Sequence, residues 1–244
     1  MAVKRRAFVT GGGSGIGLAI ARRFADAGFD VAVAGRNADK LKATGLPCFV
    51  VDVVDEASVI AGVEAAGDID VFIACAGAAE TAPALKTPRA LFERMIAVNL
   101  ASVYYCAKAA VPPMTARGWG RFIAVASTAA LKGYPYASAY AAAKHGVLGY
   151  IRSLAVELAK TGVTVNAICP GFTDTPLVAG AVETIVARTG RTRDDAVRSL
   201  TGGNPMARLV RPEEVAAAAL YLAGDAAAAV NGQAIVVDGG ETAA

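Results

Sequence analysis

A phenol and an ammonium stand four residues apart in Tyr140-Ala141-Ala142-Ala143-Lys144. On a helix, positions i and i+4 share one face, so the two groups meet. A tyrosine hydroxyl, with an ordinary pKa near ~10, moves protons poorly at neutral pH unless a neighbouring positive charge favours its phenolate. Lys144 supplies such a charge. The pair then suits proton transfer to a carbonyl oxygen while hydride reaches its carbon. Ser127 lies 13 residues before Tyr140, at the end of an apolar run, where a hydroxyl can reach the same oxygen.

The same spacing occurs in Tyr104-x-x-x-Lys108, but Leu91 stands where Ser127 does in the first case, and Tyr104 falls mid-helix after Asn99. It reads as a packing residue. His145 is the only histidine and follows Lys144 directly, so it points to another helix face. The four cysteines, Cys48, Cys75, Cys106 and Cys169, show no Cys-x-x-Cys spacing. With one histidine no zinc site of several histidines can form, and no metal is expected. The cysteines read as free thiols of a reducing compartment, the cytoplasm; Cys75 has no activating charge in view.

A second group of residues suits phosphate. The first apolar run leads into Thr10-Gly11-Gly12-Gly13-Ser14-Gly15-Ile16-Gly17. Glycines let the chain turn tightly and approach a ligand, and a following helix offers free N–H groups and the positive end of its dipole. The spacing of Gly11, Gly15 and Gly17 differs from the common Gly-x-Gly-x-x-Gly fingerprint. Ser14 and Ile16 belong to the same turn. The second run ends in Ala34-Gly35-Arg36-Asn37, without the acid that binds the ribose of NAD. Arg36 favours the 2′-phosphate of NADP(H), with NAD(H) as the alternative. Asp52, beside Val53, could accept a hydrogen bond from adenine or serve its own turn.

The elements that must carry these residues follow from patterning. Apolar runs occur at Ala7–Thr10, Val31–Gly35, Cys48–Val51, Val71–Cys75, Phe122–Ser127, Val163–Ile168 and Ala234–Val237. They lack polar alternation, as strands buried on both faces do. Helical stretches lie between them near Ile16–Ala27, Glu56–Ala66, Leu91–Ala116, Ala137–Lys160 and Pro212–Ala223. This alternation predicts an α/β fold: one doubly wound Rossmann-type domain over residues 1–244, a seven-stranded parallel sheet with helices on both faces. Carboxyl ends of such strands bind ligands. After Pro170-Gly171 the rhythm breaks, and about residues 172–210 read as a substrate lid without a regular helix.

Composition narrows the classes. The chain has 244 residues, 55% hydrophobic and 18% charged, so it can bury a core and is not disordered. Net charge is +3 with scattered basic residues, which gives no nucleic-acid stripe. No apolar stretch reaches the ~20 residues of a membrane span, and within Met1 to Thr10 the four-residue apolar run that starts at Ala7, after Lys4, Arg5 and Arg6, is too short for a signal peptide.

Together these motifs resemble the short-chain dehydrogenase/reductase family. The likeness runs from Thr10 to Gly240 and rests on the glycine turn, Asn99, Ser127, Tyr140-x-x-x-Lys144, Pro170-Gly171 and Val237-Asp238-Gly239-Gly240. It implies strand order 3-2-1-4-5-6-7, a nicotinamide cofactor and a homotetramer. It also implies roles: Tyr140 as general acid/base, Ser127 as hydroxyl donor to the substrate oxygen, and Lys144 binding the nicotinamide ribose. Asn99 would hold a water linking Lys144 to solvent. Gly171, Thr173 and Thr175 fall where the family contacts the carboxamide and phosphates. One departure stands out: the family usually carries Asn-Asn-Ala-Gly after strand four, and this chain has Ala74-Cys75-Ala76-Gly77. Ala76 and Gly77 still let the backbone pass close to the adenosine; both amide side chains are gone.

For the substrate, Lys132-Gly133-Tyr134-Pro135-Tyr136 forms one wall, and Leu177, Val178, Val182 and Ile185 make the lid apolar. Arg188, Arg191, Arg193 and Arg198 follow as a basic rim, partly offset by Asp194 and Asp195. An apolar pocket with a basic rim suits an acyl chain on coenzyme A or acyl carrier protein. The expected reaction interconverts a 3-oxoacyl and a 3-hydroxyacyl thioester. Free cyclic, aromatic or polyketide ketones are the alternative, and an inactive cofactor-binding or structural subunit is the alternative of another class.

Overall fold

The structure, a computed structural model, describes residues 4–243. The extreme ends of the 1–244 reading, including the first three residues of the Met1–Thr10 segment, lie outside the described residues. The strands are β1 (Arg6–Thr10), β2 (Asp30–Gly35), β3 (Cys48–Val50), β4 (Val71–Ala74), β5 (Gly120–Val125), β6 (Val163–Pro170) and β7 (Ala234–Val237). All pair in parallel in the order β3-β2-β1-β4-β5-β6-β7, as expected. The reversal of direction across the sheet falls between β1 and β4, whose register pairs Thr10 with Ala74. The glycine turn and the Ala76-Gly77 segment therefore leave the sheet side by side.

Side chains alternate across the sheet, and each face has its own core. One face holds Phe8, Phe72 and Phe122, stacked at 5.4 Å and 5.6 Å between ring centroids. Covering it are α3 (Glu56–Ala66), α5 (Ser102–Arg117) and α6 (Ser138–Glu157). The other face buries Val9, Ile73 and Ile123 against α1 (Gly15–Asp26) and α9 (Pro212–Ala223). Short α2 (Ala38–Lys42) closes the β2–β3 connection, capped by Asn37 accepting from the Lys40 N–H.

Two expectations change. The Leu91–Ala116 helix is a continuous run from α4 (Arg89–Ile96) through a π-helical turn at Ala97–Ala101 into α5. This run, Arg89–Arg117, is long and apolar enough by length and composition to cross a membrane, against the reading that no stretch is. Its apolar face, with Val103, Cys106, Ala110 and Met114, packs in the core. The lid also holds two helices where none was expected, α7 (Pro176–Thr189) and α8 (Arg193–Thr201). Their start signals are in the sequence: Thr175 before Pro176 accepts from Val178 N–H, and Thr192 accepts from Asp195 N–H.

Candidate active site

Ser127 follows β5 by two residues with extended backbone, and its hydroxyl accepts a 3.1 Å bond from Ala129 N–H. That bond opens the short turn Thr128–Ala130. Tyr140 lies in the first turn of α6, and the Ser127 hydroxyl is near enough to its phenol to pull the phenol's pKa down. One turn on, Lys144 is buried at 5% exposure and donates a 2.9 Å bond to the Val125 carbonyl. Its Nζ sits 5.7 Å from the centre of the Tyr140 ring. Asn99 occupies the π-helical turn, 1% exposed. A π-turn widens the helix locally and marks functional sites often. Here Asn99 Nδ2 donates to the Ala78 carbonyl at 2.9 Å and the Met95 carbonyl at 3.1 Å.

Electrostatics here differ from the expectation that Lys144 lowers the Tyr140 pKa. Burial raises the phenol above its ordinary value; the neighbouring Ser127 hydroxyl works the other way. Burial brings the Lys144 ammonium down to about 8, with Cys75 and Cys169 pulling it upward. Taking a charge out of water disfavours the charged form of both groups, and burial is the largest influence on each. Cys75 does have a cation beside it, Lys144, contrary to the sequence reading; burial still pushes its thiol up to about 12.

The glycine turn is closely built. A β-carbon on Gly17 would lie 2.4 Å from the Gly11 carbonyl oxygen, and one on Gly11 would lie 3.0 Å from Ala76 backbone. Gly11 and Gly15 have φ of +69° and +52°. Ser14 begins α1 without using its side chain as a cap, which leaves it exposed at the helix N-terminus. Thr10 is buried beneath, accepting from the Cys75 and Ala76 N–H groups at 3.1 Å and 3.2 Å. It pins the segment that lost the two amides. A dinucleotide pyrophosphate fits such a cradle of small residues at a helix N-terminus. Gly77 joins the cradle to the catalytic group, since a β-carbon there would lie 2.8 Å from Asn99 Oδ1 and 3.8 Å from Lys144 Nζ.

Arg36 is exposed at the end of β2. Lys40, which the sequence reading missed, lies over Gly13, where a β-carbon would meet Lys40 Cβ at 3.4 Å. The cap at Asn37 announces the helix that carries Lys40, but no local pattern announces its place over Gly13. Asp52 accepts from Val54 N–H at 3.2 Å, a turn role, and Val53 is buried. Ile16 packs against the core. Gly171 touches Asp238 and Glu241; Thr173 is buried and donates to the Gly171 carbonyl. Thr175 meets Gly15, with a β-carbon there 3.2 Å from Thr175 Cγ2, so the lid begins against the glycine turn.

Other candidates fall away from the centre. Tyr104 is 43% exposed against Tyr105 and Tyr150, and Lys108 pairs with Glu56 at 2.6 Å. His145 is exposed, its Nδ1 2.9 Å from the Ala141 carbonyl. The basic rim is half neutralised: Arg193 pairs with Glu183, and Arg198 with Asp195. Among the described residues Arg188 and Arg191 make no ion pair. Val182 is buried, whereas Leu177 is exposed.

Known proteins are similar to this chain over nearly its whole length. The model of the family described as enoyl-(acyl carrier protein) reductase matches residues 11–242. A D-beta-hydroxybutyrate dehydrogenase of Rhizobium meliloti is 37% identical over 257 residues, covering 98% of this chain and 99% of that protein. A putative ketoacyl reductase of Streptomyces coelicolor is 38% identical, over 96% of this chain and 95% of that one. Among solved structures, a variant of actinorhodin polyketide ketoreductase with NADPH superposes with a TM-score of 0.90 at 36% identity, over 98% of this chain and 97% of that one. This chain belongs to the short-chain dehydrogenase/reductase family and is a nicotinamide-dependent oxidoreductase acting between ketones and secondary alcohols.

Proposed function

We propose that the chain uses NADP(H) to interconvert 3-oxoacyl and 3-hydroxyacyl thioesters of coenzyme A or acyl carrier protein. The observation that carries the reading is the meeting of Ser127, Tyr140, Lys144 and Asn99 beside Gly77, at the strand ends where the glycine turn lies. Gly11, Ser14, Gly15, Ile16 and Gly17 would hold the pyrophosphate, with Thr173 and Thr175 at the lid edge. Arg36 and Lys40 supply positive charge for a 2′-phosphate. When bound, the nicotinamide supplies hydride to the carbonyl carbon or takes it from the carbinol.

The protein's own residues handle the oxygen. Ser127 donates a hydrogen bond to the carbonyl oxygen and holds it near the phenol. Tyr140 gives its proton to that oxygen as negative charge develops. Its raised pKa keeps the acid form available for reduction at neutral pH. Lys144 holds positive charge under the site, and Asn99 fixes the backbone at Ala78. The lid over about residues 172–210 excludes water.

Exposed apolar Phe92 and Val156 support the homotetramer as part of this proposal, and the free thiols of all four cysteines support a cytoplasmic setting. Free cyclic, aromatic or polyketide ketones are the second reading. The edge-to-face pair of Tyr134 and Phe172 and the neutralised half of the basic rim favour it. Initial rates with NADPH and NADH on acetoacetyl-CoA and on a cyclic ketone decide between them. Thioester turnover that falls on charge reversal at Arg188 or Arg191 supports the first. Good turnover of the cyclic ketone alone transfers the proposal to the second. Tyr140→Phe should cost about a hundredfold to ten-thousandfold in turnover while NADPH still binds. An idle subunit would show no turnover to lose.

A further inference from the structure

One buried carboxylate stands close to the substrate wall and has no part in the chemistry above. The Glu241 side chain, in the turn after β7, is 4% exposed. The Tyr134 hydroxyl donates to its Oε1 at 2.5 Å, and Lys132 Nζ lies 3.1 Å from the same oxygen. With the phenol proton committed to Glu241, the Thr128 hydroxyl 2.6 Å away donates to the Tyr134 oxygen. On the other side, a β-carbon on Gly171 would meet Glu241 Oε2 at 3.2 Å. Removing such a carboxylate from water is unfavourable unless donors surround it, and here two do.

The bonds reach both ends of the catalytic segment. Thr128 is the residue after Ser127. At the far end, Ala137 N–H donates to the Tyr134 carbonyl at 3.3 Å, immediately before α6 brings in Tyr140. Between them Tyr136 holds a left-handed backbone, φ +66°, while 64% exposed. Its carbonyl accepts from Ala82 N–H at 2.8 Å. An exposed aromatic residue keeps that conformation only where the surrounding chain is held. Glu241 is itself held. Asp238 accepts from the Gly240 and Thr242 N–H groups, and lid residue Asn204 packs on Gly239.

We infer that Glu241 is a positioning residue for the reaction: it anchors the loop Lys132–Tyr136 from behind and so sets how wide the substrate site stands between Ser127 and Tyr140. The same turn couples that wall to the lid at Asn204. This rests on the reading of Ser127 and Tyr140 as the reducing centre, and the experiment separates the two. Full-length Glu241→Ala, Glu241→Gln and Tyr134→Phe are compared with the unaltered protein in three ways. Ketone KM and kcat are measured at saturating NADPH, NADPH affinity by fluorescence titration, and trypsin cleavage after Lys132 by mass spectrometry.

Glu241→Ala and Tyr134→Phe should raise ketone KM about tenfold, with kcat and NADPH affinity changing less than about threefold. Cleavage after Lys132 should accelerate in Glu241→Ala. Glu241→Gln still accepts the phenol bond and should recover most of the KM. Unchanged KM and unchanged cleavage in Glu241→Ala would overturn the inference. So would a parallel loss of kcat, NADPH affinity and melting temperature that Gln does not rescue, since that marks a plain folding role. If the unaltered protein reduces no ketone, the reducing-centre reading fails, while the cleavage rates still decide whether Glu241 holds the loop.

Discussion

Gly77 and Asn99 touch so closely that a β-carbon on the glycine would stand 2.8 Å from Asn99 Oδ1. Asn99 cannot swing away cheaply, because its amide is bonded to the Ala78 and Met95 carbonyls. The next atom in line is Lys144 Nζ at 3.8 Å. Gly77→Ala should therefore displace the catalytic group rather than unfold the protein. We expect a loss of about a hundredfold in kcat/KM, with melting temperature falling only slightly. Steady-state rates beside thermal melts check this. Full activity in the variant would mean Asn99 moves freely and has no fixed role.

Gly17 faces a harder obstacle. Its added β-carbon would sit 2.4 Å from the Gly11 carbonyl oxygen, which is backbone on the opposite side of the turn. Overpacking of this kind costs about 1–3 kcal/mol. Gly17→Ala should lose that stability and weaken NADPH binding about tenfold or more. Fluorescence titration and chemical denaturation measure the two effects. Unaltered binding would remove the turn from the cofactor site.

How far the chain could be read without coordinates depends on the range of each signal. Strand runs such as Phe122–Ser127 are apolar on both faces, and only a covered parallel sheet accepts such strands. The sheet order came from resemblance and agrees with the pairing observed. Tyr140 and Lys144 share a helix face by spacing alone. Desolvation does not show in spacing, so Lys144 was expected to lower the Tyr140 pKa while burial raises it. Lys40 over Gly13 and Glu241 behind Tyr134 are contacts between segments distant in sequence, and no local pattern announces them. The lid helices were missed for another reason. Thr175 and Thr192 are ordinary cap residues, but Pro176 and the charged piece Arg188 to Arg198 read as loop residues.

Arg36 and Lys40 lead to a prediction on cofactor choice. A charge-assisted hydrogen bond contributes about 1.5–3 kcal/mol, or about tenfold and more in affinity. Arg36→Asp should raise KM for NADPH by at least that factor and leave KM for NADH unchanged or lower. Lys40→Ala should do the same more weakly. Initial rates with both cofactors on one ketone provide the measurement. Equal shifts for the two cofactors would place these cations away from any 2′-phosphate.

Thr175 has two duties that substitution can separate. Its hydroxyl caps α7 through Val178 N–H, and its methyl packs on Gly15. Thr175→Val keeps the shape and loses the cap, worth about 1 kcal/mol. Amide exchange should then accelerate in the first turn of α7. Thr175→Ser keeps the cap and loses the methyl, so exchange should stay slow while NADPH binding weakens. If both variants behave alike, the lid start and the glycine turn are not independently held.

Lys144 allows a stability test whose sign follows from burial. Burial brings its ammonium down to about 8 in the folded protein, below the ordinary 10.5. Below pH 8 the folded state carries the full cost of a buried charge. Between pH 8 and 10.5 the folded protein releases that proton before the unfolded chain does, so the unfolded state binds more protons and stability from this group rises with pH. The size is on the order of 3 kcal/mol. Lys144→Met removes the charge and also the bond to the Val125 carbonyl, and losing that bond does not reverse the sign of the pH slope, which follows from the folded and unfolded proton affinities. The variant should therefore gain on the unaltered protein at neutral pH and lose that advantage steadily as pH rises from 8 to 10.5. Denaturation curves without cofactor across this range follow the difference. A difference that stays flat would show that Lys144 keeps its ordinary proton affinity and that burial does not depress it.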